Sequence, residues 1–464
     1  MSTRRLGRRE LLGIGAMSAG ALLMTACGAP ATPTPAPQAA APTKAPAPTA
    51  ATQAAPAAKG QVTLRFLLRH YSSYGHVWDR VIEAHEKNNP NVKVEKIINP
   101  GTDCGETKLL TMVGGGDVPD LYWTCEYWVA FIKKGLFKKL NPFMMSDKAF
   151  SVEEYEPVWI DMYKQPDGGI YGLPWDAFTF MLFYNKDMFD KEKVPYPDPE
   201  KPMTWEELLE LAKRMTKWDG PRPQQLGANI TGWSMWWVWL SQIGIPLFNQ
   251  DMSGINYDTP EAHKTLDWFA EWQHKHKVHP SAMFQTDLPL DFPSGKLATW
   301  VAAVPQWTYT RRDAKFKWDV APYPQTANTK RQTFGFMVTI NMLEKSAHPD
   351  EAWGFIKTAS GPDHYPILYS QGMSMPTRKA HIDPPHPEWV NSKPPDNNKV
   401  VLEDAKYLIL PFRANNGAWQ QVNQIISNAM SQVYVGKATA KEAMGQAAQE
   451  CARVLKELKE AGNL

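Results

Sequence analysis

From Gln61 onward, runs the length of a β-strand alternate with stretches of helical spacing, and that alternation fixes the class of fold open to the chain. Val62-Thr63-Leu64-Arg65-Phe66-Leu67-Leu68 reads as a buried strand. Helical spacing follows at Val77, Val81, Ile82 and His85, and Asn89-Pro90 closes that helix. Val92 to Ile97 alternates as a second strand, Lys108 to Val113 is a short helix stopped by Gly114-Gly115-Gly116, and Pro119 to Trp123 is a third strand. Short helices are expected around 126–134 and 152–163, and a strand over Phe178 to Asn185. Thr204 with Glu207 and Thr439 with Glu442 are capping boxes, opening helices that run to Lys217 and to about Lys459. Thr259-Pro260 and Pro349-Asp350-Glu351 open two more. This pattern predicts an α/β fold with a parallel sheet covered by helices. It contains no internal repeat.

The first sixty residues obey different rules. Met1 to Glu10 carries four Arg and one acid, Leu11 to Leu23 is apolar, and Met24-Thr25-Ala26-Cys27 follows. A charged start, a short apolar run and small residues at a cleavage point make a secretory signal over 1–26. Thirteen mostly apolar residues are too few to span a bilayer. The junction resembles a bacterial lipobox, which makes Cys27 the lipidated new N-terminus, although Met24 stands where Leu is usual. Arg8-Arg9-Glu10-Leu11-Leu12 also resembles a twin-arginine export signal, so both export routes stay open. Residues 27–60 are nearly all Ala, Pro, Thr and Gln, with eight prolines between Pro30 and Pro56. Such a segment buries no core and reads as a tether. Fully extended, it reaches on the order of 90 Å.

Charge excludes one class of partner. Without residues 1–26 the chain carries 46 basic and 47 acidic groups, so nothing global draws it to nucleic acid. Of the other cysteines, Cys104 and Cys125 either pair, leaving Cys451 free, or remain thiols. Gly114-Gly115-Gly116 lacks the Lys-Ser/Thr of a phosphate loop, and Ser294-Gly295-Lys296 is no better. His274 and His276 are two apart and do not share a helix face, so no metal site is expected. No cofactor is implied.

Several segments, in order, resemble one family. Gly114 to Leu121 gives glycines, then Pro-Asp, then a strand. Ile170-Tyr171-Gly172-Leu173-Pro174-Trp175 is followed by Phe183-Tyr184-Asn185-Lys186-Asp187-Met188-Phe189, then Thr204-Trp205-Glu206-Glu207-Leu208. Phe292 to Ala298, Pro349 to Trp353 and Gly372 to Arg378 complete the series. Together they resemble the extracellular solute-binding proteins that feed ABC importers, in the largely sugar-binding lineage that includes maltose-binding protein. Segments 233–239 and 380–400 look particular to this chain. The resemblance implies a two-lobed periplasmic-binding-protein fold of type II kind, with a hinge crossed several times and the ligand between the lobes. Lobe one is expected at 61–176 and 334–365, lobe two at 180–332 and 370–464. The implied function is a non-catalytic, lipid-anchored receptor on the outer face of the cell membrane, handing a carbohydrate to an ABC permease.

A sugar has apolar C–H faces and a rim of hydroxyls, so aromatic rings with polar neighbours at strand ends are the residues to seek. His70, Tyr71, Trp123, Glu126, Trp175, Asp176 and Gly335 are expected to line lobe one and the hinge, and Trp233, Trp236, Trp307 and Arg378 lobe two. Core packing is the competing reading for each tryptophan. A hydrolase would need two carboxylates facing one bond, for which only Glu126 and Asp176 offer themselves. A receptor for another small solute needs no change of fold.

Overall fold

In the computed structural model, Val62–Leu68 forms β1 and Val92–Ile98 forms β2, paired in parallel with Val62 opposite Val92. The residues described are 60–69, 71–99, 105–124, 129–162, 164–231, 235–281, 283–284, 289–409 and 417–462, those at 71–74 as backbone only. The signal, Cys27, the tether, Cys104 and Cys125 lie outside them. The helix between β1 and β2, Tyr71–Asn88, starts earlier than apolar spacing predicts because its first turn is polar. Val77, Trp78 and Val81 are fully buried beneath it. Each such side chain contributes about 1.5–3 kcal/mol.

The other strands are β3 (Leu121–Trp123), β4 (Gly172–Asn185), β5 (Lys217–Asp219), β6 (Arg222–Asn229), β7 (Leu297–Ala303), β8 (Trp318–Ala321), β9 (Thr333–Met342) and β10 (Leu408–Ile409). The sheet runs β2-β1-β3-β9-β4-β7-β6-β5, with β8 paired to β4 and β10 to β9. The parallel sheet expected from the sequence is corrected here to a mixed one. β1 is parallel to β2 and β3, and β6 to β7, but β9 runs antiparallel to β3 and β4, and β4 to β7 and β8.

β4 is predicted over its second half only, yet it extends back to Gly172. Gly172 to Thr179 pairs with β9, and Phe180 to Asn185 pairs with β7 and β8. One strand therefore joins two parts of the sheet, and all of its residues are buried. A third crossing follows, where the Met375 amide donates to the Ala177 carbonyl (2.8 Å) and the Ala177 amide to the Ser374 hydroxyl (3.0 Å).

Both capping boxes form as read. The Glu207 amide donates to Thr204 Oγ1 (3.1 Å) and the Thr204 amide to Glu207 Oε2 (2.8 Å), opening the helix Trp205–Met215. The Thr439 pair opens Ala440–Glu460. Helix Trp205–Met215 lies so close on β6 that a Cβ at Gly227 would overlap the Ala212 backbone. The single helix expected over 152–163 is instead a 3-10 turn, Val152–Glu154, and a helix Pro157–Asp161. Pro157 forces Glu156 into an extended conformation, and the break follows. Among the described residues no helix is long and apolar enough to cross a membrane. Cys451 is a buried free thiol.

Candidate functional site

Where β4 enters the crossing, its register against β9 shifts between Pro174 and Asp176, leaving Trp175 as a bulge. Bulges re-aim side chains. Trp175 stacks on Trp78 (4.3 Å between ring centroids, 9° between planes) and meets Trp123 edge-on at 4.8 Å. The Arg69 guanidinium lies 4.8 Å from the Trp123 ring. Trp123 and Trp175 are thus brought together as lobe-one neighbours, both fully buried. Trp78 completes the group, and the sequence reading missed it because it sits in a helix rather than at a strand end. Asp176, one residue past the bulge, is 1% exposed.

Beyond the bulge the two crossing strands carry a row of rings. Phe178 lies opposite Phe336, and Thr179 opposite Gly335. Phe180 stacks on Phe334 (4.6 Å, 19°), Phe334 meets Phe336 at 4.6 Å, and Phe178 meets Phe336 at 6.0 Å. Trp237 closes the row edge-on against Phe334 at 4.1 Å. Alternation along a strand puts residues two apart on one face. Phe-Thr-Phe at 178–180 and Phe-Gly-Phe at 334–336 therefore present four rings together and leave Thr179 and Gly335 on the other side. A Cβ at Gly335 would overlap the Phe178 carbonyl oxygen, so glycine is what lets β4 and β9 approach. These aromatic repeats were the sequence signal for the row. Only Gly335 was singled out from it.

The remaining expected residues fall elsewhere. Trp236 opens the helix Trp236–Gln242 beside Trp237 and packs against Tyr257 (5.6 Å) and Trp419 (6.1 Å). Trp307, fully buried, stacks on Trp389 at 5.2 Å, so segment 380–400 covers it. Arg378 donates from Nη2 to the Tyr155 hydroxyl (3.1 Å) and from Nε to the Ser360 carbonyl (3.2 Å), and pairs with Glu154. Its guanidinium thus ties the third crossing to segments 154–155 and 360. His70, Glu126 and Trp233 lie outside the described residues, as does the side chain of Tyr71.

One set of polar groups near the crossing is hydrogen-bonded and buried. Thr124 Oγ1 donates to the Thr339 carbonyl (3.1 Å), Thr339 Oγ1 to Asn341 Oδ1 (2.7 Å), and Asn341 Nδ2 to the Tyr171 carbonyl (2.8 Å). They lock β3, β9 and the start of β4 together. Among the described residues no three His, Cys, Asp or Glu side chains converge as metal ligands. The arrangement is a buried cluster of rings with a buried carboxylate beside it.

Known proteins give the arrangement its context. The model of the bacterial extracellular solute-binding proteins matches residues 71–365. A binding protein of Brucella abortus (strain 2308) is 24% identical over 413 residues, covering 85% of this chain and 93% of its own length. The sn-glycerol-3-phosphate-binding periplasmic protein of Rhizobium meliloti (strain 1021) is 31% identical over 107 residues, 23% of either chain. Among solved structures, an ABC substrate-binding protein of Listeria monocytogenes in complex with cycloalternan superposes with a TM-score of 0.76. It shares 24% identity and covers 85% of this chain and 99% of that one.

Proposed function

We infer the function from one premise: the chain belongs to the bacterial extracellular solute-binding proteins. It is the receptor of an ABC importer. It takes a carbohydrate between its two lobes and presents both lobes to the permease, without catalysing a reaction. The lobes are 61–176 with 334–365 and 180–332 with 370–464. A lipid on Cys27 and the proline-rich tether hold the receptor at the outer face of the membrane, raising its local concentration at the permease.

The observation that carries the carbohydrate reading is the ring row on β4 and β9, with Asp176 beside Trp175 at its head. Rings cover the C–H faces of a sugar, and a buried carboxylate accepts from its hydroxyls. His70, Tyr71, Trp123, Glu126, Trp175, Asp176, Trp233, Trp236, Trp307, Gly335 and Arg378 are the ligand-side residues proposed from the sequence. Trp78, Phe178, Phe180, Phe334, Phe336 and Trp237 join them. The Listeria complex, which holds cycloalternan, supports this reading. The Rhizobium relative supports a second, a glycerophosphate ligand.

Intrinsic tryptophan fluorescence and calorimetry over mono- and oligosaccharides, with sn-glycerol 3-phosphate alongside, separate the two. Saturable binding of one sugar is expected. Binding of the phosphate alone would replace the carbohydrate reading, and release of reducing sugar from a glycan would end the non-catalytic one. Cys27→Ala is expected to move the protein from the detergent phase to the aqueous phase; retention in detergent would end the anchor account.

A further inference from the structure

Beside the start of β9, where β10 pairs with it, lies a buried ion pair for which ligand contact gives no use. Asp404, in the helix Val400–Ala405, is 1% exposed. Its Oδ1 accepts from Arg331 Nη2 (2.7 Å) and Nε (3.2 Å), and its Oδ2 from the Tyr323 amide (3.1 Å). Arg331 stands two residues before β9, donates from Nη1 to the Glu200 carbonyl (3.2 Å), and holds its guanidinium 4.7 Å from the Tyr407 ring. The Tyr407 carbonyl accepts from the Thr333 amide (2.9 Å), where β10 joins β9. Leu408 Cδ1 lies 2.9 Å from where a Cβ of Gly335 would stand.

A two-residue strand does not hold itself in place. The ion pair, the Tyr407 ring and the Tyr323 amide do it here. β10 then lies beside β9 in the sheet, paired at Thr333 and Phe334, where the row of rings on β9 begins.

We propose that Asp404 and Arg331 are positioning residues for ligand binding: they brace β10 against β9 and so fix the ring row where a ligand meets it. The proposal rests on the receptor reading above. Its consequence is affinity that weakens in acid. Burial, partly offset by Arg331, raises the Asp404 carboxyl to about 6. The groups around it are the Arg331 guanidinium, the Tyr323 amide, the Tyr407 ring and Glu403 of its own helix, itself paired with Lys406. Protonation of Asp404 as pH falls through about 6 removes the partner of Arg331. It does not weaken the fold through this group, because a carboxyl raised on folding adds stability as pH falls toward its unfolded value.

Asp404→Asn keeps the shape and the bond from Tyr323 and removes the charge. Hydrogen exchange of the full chain at pH 7.5 is expected to quicken about tenfold at 333–335 and 407–409 and to stay unchanged in β1 and β2. Kd for the sugar found by screening is expected to rise about tenfold, with Arg331→Lys intermediate. Between pH 7.5 and 5.5 the wild-type Kd should rise and that of Asp404→Asn stay flat. Unchanged exchange overturns the proposal whether or not any sugar binds, and faster exchange with an unchanged Kd overturns it too. If the wild type binds no sugar, the carbohydrate reading fails and the exchange result alone decides the brace. Should the Asn variant not fold, the wild-type exchange at the two pH values decides it.

Discussion

Asp176 is a carboxylate with 1% exposure at the head of an aromatic row, and the value of such a group lies in what it accepts from. Asp176→Asn keeps its volume and loses a charge-assisted acceptor. We expect sugar affinity to fall about 10- to 100-fold while the melting temperature moves by a few degrees, read by calorimetry of binding and of unfolding. Gly335→Ala acts differently. The added methyl meets the Phe178 carbonyl and Leu408, so β4 and β9 must part, and a loss of about 1–3 kcal/mol or more is expected in urea unfolding. At this scale the sequence pointed to Trp175 and Asp176 because Tyr-Gly-Leu-Pro-Trp is a contiguous signature. The facing of Phe178 with Phe336 was hidden, since it depends on a register between strands far apart in the chain. Core packing, the competing reading, describes the buried surroundings of Trp123, Trp175, Trp236 and Trp307 alike in this structure.

Elements whose signals are local were legible. Thr204 and Glu207 lie three residues apart, and their reciprocal bonds form without help from distant chain. Thr204→Ala is therefore expected to cost about 1 kcal/mol in urea unfolding, with ligand affinity unchanged. An unchanged midpoint would mean that the cap is dispensable. Proline was the punctuation most easily misread. Pro157 splits one expected helix, whereas Pro174 is carried inside β4 next to a bulge, where a missing donor is tolerated. The direction of the strands was not legible. Alternating strands and helices favour parallel pairing, and the antiparallel partners of β4 and β9, which lie far off in the chain, make the sheet mixed.

For the whole molecule, acid is the telling variable. His279 is buried, bonded to Thr231 and to the Pro280 carbonyl, and burial lowers it to about 4. Burial likewise lowers His85 and His381 to about 4. A histidine lowered on folding gives stability that is full above its unfolded value of 6.5 and is lost as pH falls toward 4. The urea midpoint should drop across that window, with His279 alone responsible for on the order of 3 kcal/mol, and His279→Gln should flatten the slope. A midpoint constant from pH 6.5 to 4.5 would contradict this. The order of the sheet also has a consequence in time. β9 lies between β3 and β4, so this part of the sheet waits for its joining strand until Met342 has been made. A nascent chain emerging amino end first exposes the open edges of β3 and β4 throughout that interval. Export unfolded would then need an escort that shields those edges; export after folding would need the ribosome to release nearly the whole chain first.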